Sequence, residues 1–389
     1  MSQLQALPNA ARCMIIRGGT SKGVYLNEDA LPSEPTARQQ ALLAIFGSPD
    51  KRQIDGLGGA DPLTSKTCII GPPPAVEARE RGAELTYTFG QVEIDTPSVD
   101  FRSLCGNLTA GVGAYALWQG LVEPVAPVTT VRIYNTNLRR MLTCEVPVRD
   151  GEPLERGDYV IPGVPGSGAK ILVDFADTAG AATGALLPTG KPREELDVPG
   201  IGALEVSLVD TGNAHVFVRA ADLGLAGTET VEAIDGNPEL RACLERIRAL
   251  GGARMGMIRN PAASASESPA TPLIAMVAPP ADYRIGNGPE QVRADQCDFV
   301  ARLMFMQQMH KAYAGTSTVC TGVASRIPGT LVHEVCRGTD ETCAEVRIGH
   351  PAGVIETESR VTNTATGLVV ERATLGRTAR RIMSGTVYF

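Results

Sequence analysis

Two uncharged segments rich in small residues limit what this chain can fold into. One runs from Cys105 to Trp118 and the other from Ala314 to Ala324, one in each half of the chain. This composition is typical of a short buried helix that other backbone approaches closely on every side. We therefore predict two central helices, each wrapped by sheet, and a weak internal duplication of the chain.

The composition favours a sheet-rich α/β (α+β) fold. The 389 residues include 42 glycines and 27 prolines but only 4% aromatic residues, which favours tight turns and excludes an all-helical bundle. The length predicts two domains. We place their boundary at the stretch 188–192, giving an N-terminal domain over 1–187 with Lys66 and Cys105 and a C-terminal domain over 188–389. The last strand is a candidate to return to the first domain.

Individual elements follow from the spacing of apolar residues. Alternation predicts strands at residues 85–94, 131–133, 142–146, 206–208, 216–218, 274–276 and 387–389. A helix is predicted to begin at Asn237 as N-cap with Pro238 in its first position, and to end at the glycines 251–252. A second helical spacing of apolar residues predicts a helix over 295–313.

Charge and cysteine usage limit the partners and the compartment. The net charge of −7 favours neither a nucleic acid nor an anionic membrane as partner. Nine unclustered cysteines are typical of reduced thiols. The N-terminus lacks a basic region followed by an apolar core, so no signal peptide is expected, and the uncharged stretch 103–122 is too polar to span a membrane. We expect a soluble cytoplasmic protein.

The motif 17–23, RGGTSKG, is a candidate anion-binding loop. Its glycines let backbone N–H groups approach a ligand, and Arg17, Thr20 and Ser21 add a cation and two hydroxyls that suit a carboxylate or phosphate. The spacing is not that of a P-loop. The alternative interpretation is a tight turn with exposed charges.

The segment 53–66 ends in the pair Ser65–Lys66 and runs directly into an apolar strand at 67–70. No helix follows its glycines, which argues against a dinucleotide-binding fingerprint. An amine at the start of a buried strand is partly desolvated, and desolvation favours the neutral amine that can act as a base. The alternative is an ordinary surface lysine, which the residues alone favour.

Cys105 lies where the first central helix is predicted to begin. The unpaired N–H groups and the helix dipole there stabilise a thiolate, so Cys105 can give or take a proton. The N–H groups of Gly106, Asn107 and Leu108 can stabilise a carboxylate or an enediolate. The alternative, an inert buried thiol, suits most of the other cysteines better than this one.

Candidates for substrate binding also occur in the second half. The turn Gly315-Thr316-Ser317 can add hydrogen-bond donors, and His350, between glycine and proline, can bind a carboxylate or hydrogen-bond to backbone. No group of histidine, cysteine and acidic residues has the spacing of metal ligands, so we expect neither a metal nor another cofactor.

Taken together, these motifs resemble the PrpF family of isomerases of unsaturated di- and tricarboxylates. The resemblance rests on RGGTSKG, QIDGLGGADPLTSK, CGNLTAGVGAYA, DTAGAATGALLPTGK, RIGHPAGVIE and RTARRIMSG, and it extends over nearly the whole chain. The stretches DFADTAGAATGALLPTG and RLMFMQQMHKAYAGTSTVCTGVASRIPGT look most like the 3-methylitaconate Δ-isomerase branch of that family.

The resemblance implies a fold similar to that of diaminopimelate epimerase. That fold has two pseudo-symmetric domains, each a mostly antiparallel sheet around a central helix, with the active site between them. In those epimerases each central helix begins at a catalytic cysteine. Here Cys105 fills the first position, whereas Ala314 or Gly315 falls at the second. The resemblance implies that Lys66 takes over the missing proton-transfer role.

The expected function is a cofactor-independent 1,3-allylic proton shift in a small di- or tricarboxylate, most like that of 3-methylitaconate Δ-isomerase. Oxalomesaconate tautomerase or Δ-isomerase, 2-methylaconitate cis–trans isomerase and aconitate Δ-isomerase are the enzymatic alternatives. A carboxylate-binding protein without catalysis is the alternative outside enzymes. A homodimer is a further expectation.

Overall fold

The computed structural model describes residues 10–73, 76–101, 104–286, 288–338, 344–365 and 367–389. Residues 1–9, on which the prediction of no signal peptide partly rests, and the thiol of Cys343 lie outside these ranges. The chain divides into two compact units. Unit 1 comprises the residues up to Val173 together with Arg377–Phe389, and unit 2 comprises Asp174–Gly376.

Strands dominate the described part of the chain. The strands are β1 Ala10–Gly18, β2 Ser21–Asn27, β3 Lys66–Gly71, β4 Leu85–Val92, β5 Val99–Asp100, β6 Val128–Asn135, β7 Arg140–Arg149, β8 Glu152–Pro153, β9 Ile171–Asp174, β10 Glu194–Val198, β11 Gly202–Thr211, β12 Asn213–Arg219, β13 Leu273–Ala278, β14 Tyr283–Arg284, β15 Gln291–Val292, β16 Phe299–Phe305, β17 Gln308–Met309, β18 Glu345–His350, β19 Gly353–Thr364, β20 Gly367–Arg377 and β21 Ala379–Tyr388. The helices are α1 Pro35–Phe46, α2 Val76–Glu80, α3 Gly106–Trp118, α4 Val231–Asp235, α5 Pro238–Arg254, α6 Ser264–Glu267, α7 Gly315–Ser325 and α8 Leu331–Val335.

The two units repeat one pattern of strand pairing. In unit 1, β1–β2 is antiparallel, β2–β3 parallel, β3–β4 antiparallel, β4–β6 parallel and β6–β7 antiparallel. In unit 2, β11–β12, β12–β13, β13–β16, β16–β18 and β18–β19 follow the same alternation. The central helix precedes the fifth of these strands in each unit, α3 before β6 and α7 before β18. The predicted α/β fold of two similar, sheet-rich halves is confirmed.

Each central helix begins in the same way. The N-cap residues are Cys105 and Ala314, and the threonine at the fourth helical position closes the first turn. Thr109 donates its backbone N–H (3.1 Å) and its hydroxyl (3.0 Å) to the carbonyl of Cys105. Thr318 donates the same two groups to the carbonyl of Ala314, at 2.8 and 3.0 Å. The first three N–H groups of each helix have no backbone acceptor among the residues that the structure describes, so they can bind a ligand.

Small residues are required because the helices are buried on nearly all sides. Of α3, the residues from Leu108 to Leu117 are all buried, and α7 is buried along its whole length. Gly111 of α3 lies against the Tyr25 ring on β2, where a Cβ would be 2.8 Å from Cζ. The Tyr25 hydroxyl donates to the Leu108 carbonyl at 2.8 Å. A larger residue at position 111 would displace this bond.

The division between the units differs from the predicted boundary at 187/188. Backbone hydrogen bonds hold the segment before that boundary against β11: Gly180 donates to the Asp210 carbonyl at 2.8 Å, and Asp210 donates to that of Leu186 at 2.9 Å. The segment before residue 188 therefore belongs to unit 2, and the boundary between the units lies between Val173 and Asp174. The last strand, β21, pairs antiparallel with β1 of unit 1.

The predicted helix over 295–313 is wrong. The helix after Asn237 is confirmed at its start, but it continues through the glycines 251–252, where its end was predicted, to Arg254. Residues 299–305 form β16, whose first six residues are buried, and β16 pairs with β13 and β18. A strand buried on both faces has no polar alternation, so its apolar residues also fit a helical spacing. Met306 and Gln307 then adopt positive φ angles of 53° and 56° in a tight turn to β17. The Asn237 side chain caps α5 by accepting from Leu240 N–H at 3.0 Å.

Candidate active site

Lys66 is the first residue of β3 and is only 9% exposed. Its Nζ donates to Gln91 Oε1 at 2.5 Å and lies 5.1 Å from the centre of the Phe89 ring. Gln91 and Phe89 both lie on β4, where Gln91 is directly opposite Lys66. The interpretation of Lys66 as an ordinary surface lysine therefore does not describe its surroundings.

No carboxylate of the described residues lies within 4.0 Å of the Lys66 amine; its polar contact is the neutral amide of Gln91. The neighbouring Ser65 is fully buried and donates its hydroxyl to Gln53 Oε1 at 2.7 Å. Gln53 also accepts from Ala60 N–H at 2.8 Å, which fixes the glycine-rich loop before β3. Ser65 thus supports the loop that leads to Lys66.

The loop 17–23 packs directly on the start of α3. A Cβ at Gly18 would lie 2.5 Å from the Asn107 carbonyl oxygen, and a Cβ at Gly19 would overlap the Asn107 side chain. Gly19 also has a φ of +51°, a conformation that favours glycine. Asn107 Nδ2 donates to Thr20 Oγ1 at 3.1 Å. Two predicted motifs, around Thr20 and around Cys105, are therefore in contact within unit 1.

Arg377 completes this part of the site, and sequence reasoning gave it no role. Its Nε donates to Asn107 Oδ1 at 2.7 Å, and its side chain is almost fully buried. Burial lowers the pKa of Arg377 to about 10. The charges of Tyr159 and Cys105 act in the opposite direction and raise this pKa, but by less. The sequence feature that could have identified Arg377 is its place at the start of RTARRIMSG, a motif that contributed to the family resemblance. The structure shows that this arginine orients the second residue of α3.

The side chains of Arg17 and Ser21 differ in their hydrogen bonding. The Arg17 guanidinium donates to the carbonyl and the hydroxyl of Thr378 at 2.7 and 2.6 Å, and thus connects the loop to the residue between β20 and β21. Burial, followed by the nearby positive charge of Arg380, lowers the pKa of Arg17. Ser21 is 2% exposed, and its hydroxyl has no hydrogen-bond partner among the described residues. Ser21 is therefore available to a bound ligand.

The charges of Lys66 and Cys105 both affect the pKa of the Cys68 thiol. Cys68 lies two residues after Lys66 on β3. Burial raises the pKa of Cys68; the charge of Cys105 raises it further, and that of Lys66 lowers it. Cys105 is 9% exposed and makes no side-chain capping bond at the start of α3. Both predicted proton-transfer groups therefore lie within electrostatic range of one buried side chain of unit 1.

Unit 2 carries the other predicted residues at the start of α7. Thr316 Oγ1 accepts from Asn213 Nδ2 at 2.7 Å, so its side chain is already engaged. Ser317 is fully buried, and its hydroxyl has no partner among the residues described. Together with the backbone N–H groups of Gly315, Thr316 and Ser317, the Ser317 hydroxyl offers hydrogen-bond donors to an anion.

His350 ends β18 and is 1% exposed. Its Nδ1 accepts from the backbone N–H of Ala352 at 3.2 Å, and its own carbonyl accepts from the Tyr283 hydroxyl at 2.9 Å. Of the two interpretations of this histidine, the geometry favours the hydrogen bond to backbone. It stabilises the turn between β18 and β19.

His215 on β12 gives unit 2 a pH-dependent stability. It is fully buried, Nδ1 donates to the Asn213 carbonyl at 2.8 Å, and burial lowers its pKa from 6.5 to about 4. The unfolded chain binds the proton below about pH 6.5, whereas the folded chain does not until about pH 4. The free energy of unfolding therefore falls as the pH falls through this window, by about 3 kcal/mol from this group.

We expect a His215→Gln variant to lose that part of the pH dependence. Urea unfolding at pH 7 and pH 4.5, followed by circular dichroism, measures the difference. Carboxylates that titrate in the same window contribute equally to both proteins, so the comparison isolates the histidine. An unchanged slope of stability against pH in the variant would contradict the assignment.

Within the described ranges, no group of three or more histidine, cysteine, aspartate or glutamate side chains is close enough together to hold a metal ion. None of the helices in those ranges is both long and apolar enough to cross a membrane.

Comparison with known proteins defines first the class of fold and then the family. A solved hydroxyproline epimerase from Agrobacterium vitis shares the fold, with a TM-score of 0.52 at 12% identity over 98% of this chain and 93% of its own. The family model described as "PrpF protein" matches residues 9–389. This chain belongs to the PrpF family, as its motifs predicted.

Two relatives are much more similar. The 3-methylitaconate isomerase of Eubacterium barkeri is 49% identical over 376 residues, covering 97% of this chain and 96% of its own length. A crystal structure of a methylitaconate Δ-isomerase superposes with a TM-score of 0.89 at 48% identity, covering 97% of this chain and 95% of that one. The prediction of an isomerase is confirmed by these relatives.

Proposed function

We propose that this protein catalyses a cofactor-independent 1,3-allylic proton shift in an unsaturated dicarboxylate of the 3-methylitaconate type. The observation that carries the chemistry is the Lys66 amine, nine-tenths buried and paired with a neutral amide. Without a carboxylate to hold its proton, such an amine can serve as a general base. The substrate class is taken from the relatives that share about half of its residues.

In this proposal the start of α3 binds a substrate carboxylate. The N–H groups of Gly106, Asn107 and Leu108 are the first three of the helix and have no acceptor within it. Thr20 and Ser21 supply hydroxyls beside them, and Arg17 and Arg377 supply positive charge. These donors stabilise negative charge best where it increases most, on the carboxylate of the deprotonated intermediate.

The proton transfers then balance without a cofactor. The lone pair of Lys66 Nζ takes the proton from the allylic carbon next to the carboxylate, and the C–H electrons form the dienediolate. A proton returns to the far carbon of the allyl system, so the double bond moves by one position. If Lys66 returns the proton, the enzyme is restored at once. If Cys105 donates it, the thiolate regains a proton from solvent and Lys66 releases one.

Proton NMR in heavy water tests the proposal with four acids: 3-methylitaconate, trans-aconitate, 2-methylaconitate and oxalomesaconate. We expect 3-methylitaconate to be consumed fastest and its former methylene carbon to become a methyl group. This methyl group carries one deuterium when the returned proton comes from solvent, and none when Lys66 returns the proton that it removed. Faster conversion of another acid would assign one of the alternative isomerase activities. Binding of these acids without conversion or hydrogen exchange would support the carboxylate-binding alternative instead.

A further inference from the structure

The side chain of Gln91 is held by three hydrogen bonds. Its Oε1 accepts from Lys66 Nζ at 2.5 Å, while its Nε2 donates to the backbone carbonyls of Pro62 and Ser65, both at 3.1 Å. Ser65 also accepts from Val92 N–H at 3.0 Å, which ties the end of the loop to β4. Gln91 therefore connects the loop before β3 to the amine of Lys66.

These bonds fix which end of the amide faces the amine. A primary amide has two N–H donors, and both are used on carbonyl oxygens. Rotating the amide by half a turn would place Oε1 against the two carbonyls and the NH₂ group against the donor hydrogens of Lys66. The acceptor that faces Lys66 is therefore an oxygen without a formal charge.

We propose that Gln91 is the residue that positions Lys66 for proton abstraction, an inference that rests on the proposed function. By accepting one N–H of the neutral amine, the Gln91 oxygen directs the remaining N–H and the lone pair elsewhere. Because the oxygen is uncharged, it does not hold the amine as an ammonium ion in the way a carboxylate would. A glutamine thus orients the base without suppressing it.

Among the residues described, no charged side chain near Lys66 takes the place of Gln91 as its hydrogen-bond acceptor. Titratable side chains on the elements packed against Lys66 include Cys68 on β3, Lys22 and Tyr25 on β2, Tyr87 on β4, Asp100 on β5, Asp61 in the preceding loop, and Cys105 and Tyr115 at the start of and within α3. Lys22 precedes Gly23, which pairs with Lys66 on the parallel strand β2, and Asp100 pairs with Gln91 on β5. Neither carboxylate, of Asp61 or Asp100, forms an ion pair with Lys66.

The test replaces Gln91 in the full-length protein by glutamate and by leucine. The chain has six lysines, so labelling with ¹³Cε-lysine gives six signals, and a Lys66→Arg variant assigns that of Lys66. In Gln91→Glu, a carboxylate within contact of Nζ should keep the amine protonated to higher pH, moving its titration midpoint upward by at least about one pH unit. In Gln91→Leu the midpoint should not move upward. This measurement requires no substrate.

Activity on 3-methylitaconate provides the second measurement. The acidic limb of the pH profile of kcat/KM should move upward in Gln91→Glu by the same amount as the NMR midpoint, with activity recovering at high pH. In Gln91→Leu, kcat should fall about tenfold at every pH, the size of one lost positioning contact. Gln308→Glu, the same change at an exposed strand position in unit 2, is the matched control.

The outcomes separate this inference from the function on which it rests. If Lys66→Arg is inactive but Gln91→Glu has the wild-type midpoint and pH profile, the role of Gln91 is refuted and that of Lys66 stands. Equal, pH-independent losses in both Gln91 variants would show a merely structural glutamine and also overturn the inference. If Lys66→Arg is as active as the wild type, the proposed function itself fails.

Discussion

Replacing Lys66 by methionine should lower kcat by about 10²–10⁴-fold, the usual contribution of one general acid–base group. Methionine has a similar length and fits the same space between the Gln91 amide and the Phe89 ring, so the fold and KM should change little. Steady-state kinetics on the substrate found by the NMR panel measures the loss. Lys51→Met, at an exposed lysine of the same unit, should retain wild-type activity.

Lys66→Arg distinguishes a base from a mere positive charge. Arginine keeps the charge and the reach of the side chain, but its guanidinium does not lose its proton in proteins. If Lys66 acts as the base, the arginine variant should be about as inactive as the methionine variant. Substantial recovery of activity in the arginine variant would instead show that Lys66 attracts the substrate carboxylates and leaves proton abstraction to another group.

Gly111→Val should destabilise unit 1 by about 2–5 kcal/mol, the combined cost of overpacking and of breaking a buried hydrogen bond. A side chain at position 111 collides with the Tyr25 hydroxyl and approaches Ile16 Cγ2 to 3.3 Å even at its Cβ. If the Tyr25 ring moves, its buried hydroxyl loses its hydrogen bond to the Leu108 carbonyl. The strand β2 and the helix α3 cannot separate without exposing this core.

The single tryptophan of the chain reports on this loss. Trp118 is the last residue of α3, with the Arg381 guanidinium 5.0 Å from the centre of its ring. Urea unfolding followed by its fluorescence should show the midpoint moving to lower urea in Gly111→Val. Ala242→Val, at an exposed position of helix α5, should leave the tryptophan transition in place. Equal midpoints for wild type and Gly111→Val would mean that the packing around α3 yields more easily than this geometry implies.

Local sequence patterns predicted much of the fold. The N-cap at Asn237, the start of α3 after Cys105 and that of α7 after Ala314 all depend on residues within one helical turn, and the structure places these helix starts there. The helix predicted over 295–313 was wrong because β16 is buried on both faces. Burial of that kind depends on the partners β13 and β18, which lie far away along the chain.

The candidate site divides in the same way. The sequence itself indicated the candidates for chemistry: an amine before an apolar strand, a thiol at a helix start, and glycine loops that allow close approach of backbone. Only the tertiary structure decided what surrounds them. Gln91 meets Lys66 because β3 and β4 pair in one register, and Arg377 meets Asn107 because the chain returns to unit 1 at its end. Such contacts join residues distant in sequence, and no local pattern specifies them.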